Sequence, residues 1–405
     1  MRATIGRTTD TEATDTEATD TEATGIYDRR VRNDPYVIDV PDAVLDDLRA
    51  RIRNTRWPQP APGAPWSQGT DLAYLRDLLA YWADGFDWRA RERELNGYDH
   101  RMVEVDGAPV HVVHHRAPGG GRPALVLTHG WPSTFLELLP LVDRLGDAYD
   151  LVVPSLPGYA FSPRPPRVGV DRAYVARLWH RLMRGLGYDR YGAAGGDFGA
   201  GVATHMALQQ PDRVIGIHLS TPEMEPYTGP GAPPPTAEEQ AYLDDVARWD
   251  VTERGYSAIQ STRPQTLGYG LTDSPAGLAA WVLEKWRLWS DSGGDLDRRF
   301  GRDFLLAMLT IWWATGSITT STRDYFDNRW RDAPEIGPDD FVRVPTAMAV
   351  FDHAFAYEGT VPRTWYERLY AVRRWTAFPR GGHFAAAEEP DRLADDIRAF
   401  FRELS

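Results

Sequence analysis

Residues 191–199 read Tyr-Gly-Ala-Ala-Gly-Gly-Asp-Phe-Gly, and helix-like sequence follows over Gly201–Gln210. Tyr191–Gly195 is short, uncharged and closed by glycine, as a strand buried on both faces would be. The glycines around Asp197 suit a turn so sharp that backbone meets backbone and a Cβ has no room. Strand, elbow and helix together present the central residue at the tip, where serine is more usual and aspartate stands here. An aspartate that only caps a helix gives the same local pattern, so the surrounding chain has to decide.

Ala124–Thr128 and Leu151–Pro154 come before this stretch as short apolar runs closed by turn residues, and Val214–Leu219 and Thr346–Phe351 come after it. Strands alternating with helical segments predict an α/β fold with a mostly parallel sheet and right-handed crossovers. The alternation over Met102–His114 predicts a hairpin turning at Asp106-Gly107. Val40, Val44, Leu45, Leu48 and Ile52 recur at helical spacing, as do Leu72, Leu75, Leu78, Leu79 and Trp82, with a proline-broken loop (Pro58, Pro60, Pro62, Pro65) between. From Ser220 to about Val344 the strand signals vanish. That region turns helical and rich in tryptophan (Trp281, Trp286, Trp289, Trp312, Trp313), which predicts a helical lid inserted into the α/β core. The resulting division is a tail (1–24), an N-terminal segment (25–120), core (121–222), lid (223–343) and core again (344–405), ending in a helix over Glu388–Leu404.

Composition narrows the chemistry. The 405 residues carry 58 acidic and 45 basic side chains, a net charge of −13, which disfavours a nucleic-acid partner because that affinity rests on basic groups. With 42% hydrophobic residues the chain can fill a sizeable core, whereas the Thr-Asp-Thr-Glu-Ala repeat over Thr9–Thr24 cannot and is expected to be disordered. No cysteine is present, so thiolate metal sites, disulfides and a thiol nucleophile are excluded. Lys285 is the only lysine, which leaves Schiff-base chemistry a single candidate. With no long apolar run and an acidic tail, the expectation is a soluble, cytoplasmic protein without a membrane partner.

An aspartate suits a particular reaction. Its reference pKa of about 3.9 leaves it ionised at neutral pH without help from a base. It can displace a leaving group at saturated carbon and form an alkyl ester, and only water's later attack on that ester needs a general base. His383, in Arg380-Gly-Gly-His-Phe384 just before the last helix, follows the chain order nucleophile, acid, histidine. Thr128-His-Gly-Trp-Pro132 follows the first buried strand. The amides of Trp131 and Phe198 are the expected oxyanion hole, and His129, Trp131 and Phe198 the expected substrate-binding wall.

Five segments carry a wider likeness: Arg56-Trp-Pro58, His129-Gly-Trp-Pro132, Gly196-Asp-Phe-Gly199, Pro264-Gln-Thr-Leu267 with Leu271-Thr-Asp-Ser-Pro275, and Gly381-Gly-His-Phe-Ala-Ala-Ala-Glu-Glu-Pro390. Through them the chain resembles the microsomal-type epoxide hydrolases from about Asp39 to Leu404. The resemblance implies an α/β-hydrolase core, a lid after the sixth strand and an N-terminal segment wrapping both. It also implies a reaction without cofactor or metal that opens an epoxide to a vicinal diol. Two lid tyrosines then donate hydrogen bonds to the oxirane oxygen, and motif matching assigns Tyr256 (in Gly255–Gln260) and Tyr325 (in Ser321–Asn328) to those places. The chain departs from the family in two respects. Phe198 stands where tryptophan is common, and the position of the family's triad acid falls on Ala354. Asp352 is the expected substitute, since positions one and three after Phe351 share a side in extended chain, with Glu358 the alternative. Phe300, Phe304, Phe326 and the lid tryptophans point to an aromatic or polycyclic substrate, and the resemblance to soluble relatives points to natural-product or antibiotic biosynthesis. A recruited non-hydrolytic opening, coupling or cyclisation step stays open, as does a non-catalytic binder of a hydrophobic metabolite. A haloalkane dehalogenase shares the aspartate elbow, but the N-terminal wrap and tyrosine-bearing lid fit it poorly. The oligomeric state is open, with a homodimer among the options.

Overall fold

The computed structural model describes residues 31–221, 224–331, 335–353 and 361–404. The repeat at Thr9–Thr24, Ala354 and Glu358 lie outside them. The sheet has nine strands, introduced here in chain order: β1 (Asn33–Pro35), β2 (His100–Val105), β3 (Ala108–His115), β4 (Ala124–Thr128), β5 (Asp150–Pro154), β6 (Tyr191–Gly196), β7 (Val214–Thr221), β8 (Val342–His353) and β9 (Tyr370–Gly382). Their spatial order is β1-β2-β3-β5-β4-β6-β7-β8-β9, antiparallel as far as β5 and parallel from there on. The expected hairpin is β2–β3. Asp106 and Gly107 both take positive φ at its turn (51° and 79°), as a two-residue connection that follows the strand twist requires.

β4, β5 and β6 form the centre of the sheet, and every residue of β4 and β5 is buried, which explains the apolar runs Ala124–Leu127 and Leu151–Val153. Two strands were not read from the sequence. β1 is three exposed residues with no pattern, and β9 carries three arginines and is only partly buried along most of its length. The counting of strands shifts accordingly: the inserted helices follow β7, because β1 adds an edge strand at the start. They run from Ala237–Glu253 to Ile318–Arg329. Among the described residues no single helix is long and apolar enough to cross a membrane, and the apolar helix Arg302–Thr315 buries Leu305 to Trp312 in the protein.

The N-terminal helices Asp42–Arg53 and Leu72–Asp84 bury their leucine stripes and fasten onto the lid. Trp82 donates its indole N–H to Thr310 (2.9 Å), Tyr74 its hydroxyl to Asp297 (2.9 Å), and Thr70 its hydroxyl to the Ala280 carbonyl (2.7 Å). On the other side, the lid helix Ile318–Arg329 is fixed to the loop after β5. The Arg164 guanidinium, with its side chain only 2% exposed, pairs with both Asp324 and Asp327 (2.6 Å to the latter). Asp327 also accepts the amides of Gly169 (3.1 Å) and Val170 (3.2 Å), and Thr320 donates to the Gly158 carbonyl (2.6 Å). One cation thus holds two buried carboxylates that flank Tyr325 in the chain. Removing it leaves both unpaired, so Arg164→Met is expected to cost about 3–5 kcal/mol. Urea unfolding of the variant tests this, and an unchanged midpoint would mean that the lid is held by other contacts.

Candidate active site

The elbow at Asp197 joins β6 to the helix Phe198–Gln209 and has φ 55°, ψ −132°. Non-glycine residues adopt that region at a cost, so neighbours must hold it there. A Cβ at Gly199 would sit 2.0 Å from the Thr128 carbonyl oxygen, and one at Gly130 would sit 2.3 Å from Asp197 Oδ1. Larger side chains at either place would push the two loops apart. The Asp197 amide is anchored as well, donating to the Thr221 carbonyl (3.0 Å) and hydroxyl (2.8 Å).

The Asp197 side chain is nearly fully buried, and its two oxygens have different neighbours. Oδ1 accepts the amide N–H of Trp131 (2.8 Å) and of Phe198 (2.7 Å). A simple helix cap would accept instead from the second or third helical amide, so the capping alternative does not describe this residue. Oδ2 faces His383 Nε2 at 3.5 Å. His383 is itself buried, and its amide donates to the Trp289 carbonyl (2.8 Å). The histidine loop lies so close to the lid that a Cβ on Gly382 would be 2.6 Å from that same carbonyl oxygen.

Glu388 clasps the loop and the lid together. One oxygen accepts the Phe384 amide (3.1 Å) and the other the Asp291 amide (2.7 Å), with Arg299 at 3.4 Å. Burial raises the Glu388 carboxyl above its ordinary range. Glu137, on the short helix Phe135–Leu138, was not singled out from the sequence either. It lines the same small cavity as Asp197, His129 and His383, of about 30 Å³, room for one or two waters. Burial raises its carboxyl to about 7, against the opposing pull of the Ser133 hydroxyl and of His383. The only hint in sequence was a charged residue in an otherwise apolar run, Phe135-Leu-Glu-Leu-Leu139. A wider groove of about 750 Å³, lined by Trp57, Pro58, Trp66 and Pro275, does not include Asp197.

Tyr256 and Tyr325, from separate lid helices, converge on the elbow. The Tyr256 ring stacks on Trp131 (centroids 5.4 Å apart, planes at 6°), and Tyr325 meets Trp131 (5.6 Å) and Phe198 (5.0 Å) edge to face. The two phenol rings are 5.7 Å apart, and Trp289 closes the cage against Tyr256 (5.2 Å) and His383 (5.1 Å).

Three expectations need correction. Both His129 ring nitrogens are taken by backbone: Nε2 accepts the Leu156 amide (3.1 Å) and Nδ1 lies 3.1 Å from the Gly130 carbonyl oxygen. Burial lowers its pKa to about 4, so it is a neutral brace for the Trp131 loop rather than a free substrate contact. Asp352 does not meet His383: it is exposed, and among the described residues no hydrogen bond or ion pair joins the two. Asp352 sits where the pairing of β8 with β9 shifts register, between Phe351 opposite Phe378 and His353 opposite Gly382. The lid phenylalanines do not face Asp197 in one wall. Phe300 and Phe304 pack on Trp286 (4.9 and 5.6 Å), which stacks on Phe384 (3.8 Å), and Phe326 packs near Trp330 (6.4 Å).

Comparison with known proteins agrees with this geometry. A family model described as the epoxide hydrolase N terminus matches residues 33–138, and one for the alpha/beta hydrolase fold matches residues 123–269. Epoxide hydrolase 1 of Sus scrofa is 32% identical over 401 residues, covering 90% of this chain and 88% of its own. The crystal structure of juvenile hormone epoxide hydrolase from the silkworm Bombyx mori superimposes with a TM-score of 0.79 at 30% identity (92% and 94% coverage). The Aspergillus niger epoxide hydrolase does so with 0.81 at 27% identity (93% and 97%). Sequence, sheet topology and elbow geometry therefore agree that this chain belongs to the microsomal-type epoxide hydrolases of the α/β-hydrolase fold.

Proposed function

We propose that the protein hydrolyses an epoxide to a vicinal diol through a covalent Asp197 ester. The observation that carries this reading is the division of labour within one carboxylate, with Oδ1 held by two amides and Oδ2 beside the histidine. Oδ2 attacks a ring carbon as the carbon–oxygen bond of the strained ring breaks. The departing alkoxide is a poor leaving group, and the phenols of Tyr256 and Tyr325 supply the proton and hydrogen bond it needs. The ester carbonyl oxygen is then Oδ1, already seated between the Trp131 and Phe198 amides. His383 Nε2 takes a proton from water, and the water oxygen attacks Cγ. The tetrahedral oxyanion forms on Oδ1, where both donors are preorganised; as it collapses the Cγ–Oδ2 bond breaks, the proton of the added hydroxyl passes to Oδ2, and the diol leaves with the Asp197 carboxylate restored.

The orienting acid is not Asp352 in this reading. Glu358 keeps the place proposed from sequence, and Glu137 is the buried carboxyl whose charge bears on His383. The substrate class we favour is a bulky aryl or polycyclic epoxide, such as a natural-product intermediate. Its support is the aromatic cluster of Trp131, Tyr256, Trp289 and Tyr325, which meets Phe198 at the elbow and His383, not the phenylalanines packed elsewhere in the lid. The cavity at Asp197 is water-sized and lined by core residues alone, so it offers room for the hydrolytic water rather than for such a substrate.

With styrene oxide in ¹⁸O-water, a single turnover is expected to place label in the Asp197 carboxylate and none in the diol, read by mass spectrometry of the peptide. Label in the first-turnover diol would instead mean direct attack of water. Asp197→Asn is expected to lower turnover on the order of 10⁴-fold or more, provided that mass spectrometry excludes deamidation. Tyr256→Phe and Tyr325→Phe should each slow ester formation about 10- to 100-fold, because one donor remains. Asp352→Asn should leave ester hydrolysis within about twofold of wild type, since an exposed group with no bond to the histidine has little to lose.

A further inference from the structure

The chain uses arginine at every basic position but one. Nothing general in its composition favours lysine, so the surroundings of Lys285 are informative. It lies on the lid helix Pro275–Trp289 with its side chain 7% exposed, and its ammonium pairs with Glu284, which is more open to solvent (26%). The Lys285 Nζ is 4.7 Å from the centroid of the Tyr256 ring and 5.9 Å from that of Trp289. A cation over an aromatic face at this range is attracted to the ring's π electrons, more so away from water. A compact ammonium on a flexible stem reaches such a face, whereas a planar guanidinium prefers to stack or to fork onto carboxylates.

We infer that Lys285 is a positioning residue for ring opening, its ammonium holding the Tyr256 ring in place and stabilising the charge that develops on the phenol as it protonates the oxirane oxygen. The inference rests on the reading of Tyr256 as a proton donor. In the step, the bond from Oδ2 to carbon forms, the ring carbon–oxygen bond breaks, and the phenol proton moves to the alkoxide. The negative charge left on the Tyr256 oxygen is conjugated with the ring that Lys285 faces. After ester hydrolysis, the proton that His383 took from water is exchanged through solvent to restore the phenol. Lys285 touches no reacting atom, so it acts only through Tyr256 and only on the first half-reaction.

The test is pre-steady-state kinetics on styrene oxide, following tryptophan fluorescence to separate ester formation from ester hydrolysis. Lys285→Met is expected to slow ester formation about tenfold and leave hydrolysis within about twofold, with Lys285→Arg recovering part of the loss. In a Tyr256→Phe background, Lys285→Met should have almost no further effect on ester formation. Equal slowing of both half-reactions, or no difference between the Met and Arg variants, would reduce Lys285 to packing. Should Tyr256→Phe leave ester formation unchanged, the reading of Tyr256 falls and this inference with it. If Tyr256→Phe slows it and Lys285→Met does not, only the inference falls. Selective ¹³C-lysine labelling gives a check that needs no active variant, because the chain yields a single lysine side-chain signal. Ring currents should move the Lys285 Hε resonance upfield, and a shift typical of free lysine would overturn the geometry.

Discussion

The carboxylate of Asp197 is held on a backbone conformation that its own residue type disfavours. A non-glycine residue at φ 55° costs on the order of 1–3 kcal/mol. The neighbouring chain holds it there by close approach: Gly199 against Thr128, Gly130 against Asp197 itself, and the Asp197 amide onto Thr221. That constraint brings two loops from different strands within hydrogen-bonding reach of one oxygen atom. The amides of Trp131 and Phe198 thus both donate to Oδ1, held in that direction by the fold.

The other half of the site depends on contacts between core and lid. The histidine loop is held by the Trp289 carbonyl and by Glu388, which binds the loop with one oxygen and the lid with the other. Tyr325 arrives on a helix whose two aspartates share Arg164, and Tyr256 arrives between the Trp131 ring and the Lys285 ammonium. These are buried polar fastenings, costly to break singly. They fix rings and loops relative to one another in a way that apolar packing alone does less strictly.

Asp197, His383, the Trp131 and Phe198 amides and the two tyrosines all carried a local signature. Glycine spacing marks an elbow, a glycine-flanked histidine before the last helix marks a loop, and the lid motifs match a family pattern. Glu137 carried only a charge in an apolar run, and Glu388 stood in the last family motif without a role of its own. Glu137 and Glu388 look like ordinary helix-surface carboxylates until the sheet and lid close over them. His129 looked like a substrate contact because a sequence does not say which backbone groups will meet a ring nitrogen, here Leu156 and Gly130. Asp352 was favoured on strand alternation alone, and in the structure it is exposed where β8 and β9 shift register.

The sequence by itself determined the fold class, most of the strands and their order, the inserted helices and the residue presented at the elbow, because each follows from patterns within a dozen neighbouring residues: apolar period, turn glycines and the residue between them. Only the tertiary structure decided which oxygen faces which donor, which carboxyl is buried beside the histidine, and that the one lysine lies over the ring of Tyr256. Those are distances between segments tens to hundreds of residues apart. They are set by how the sheet, the lid and the N-terminal helices pack together, and local sequence contains no term for that.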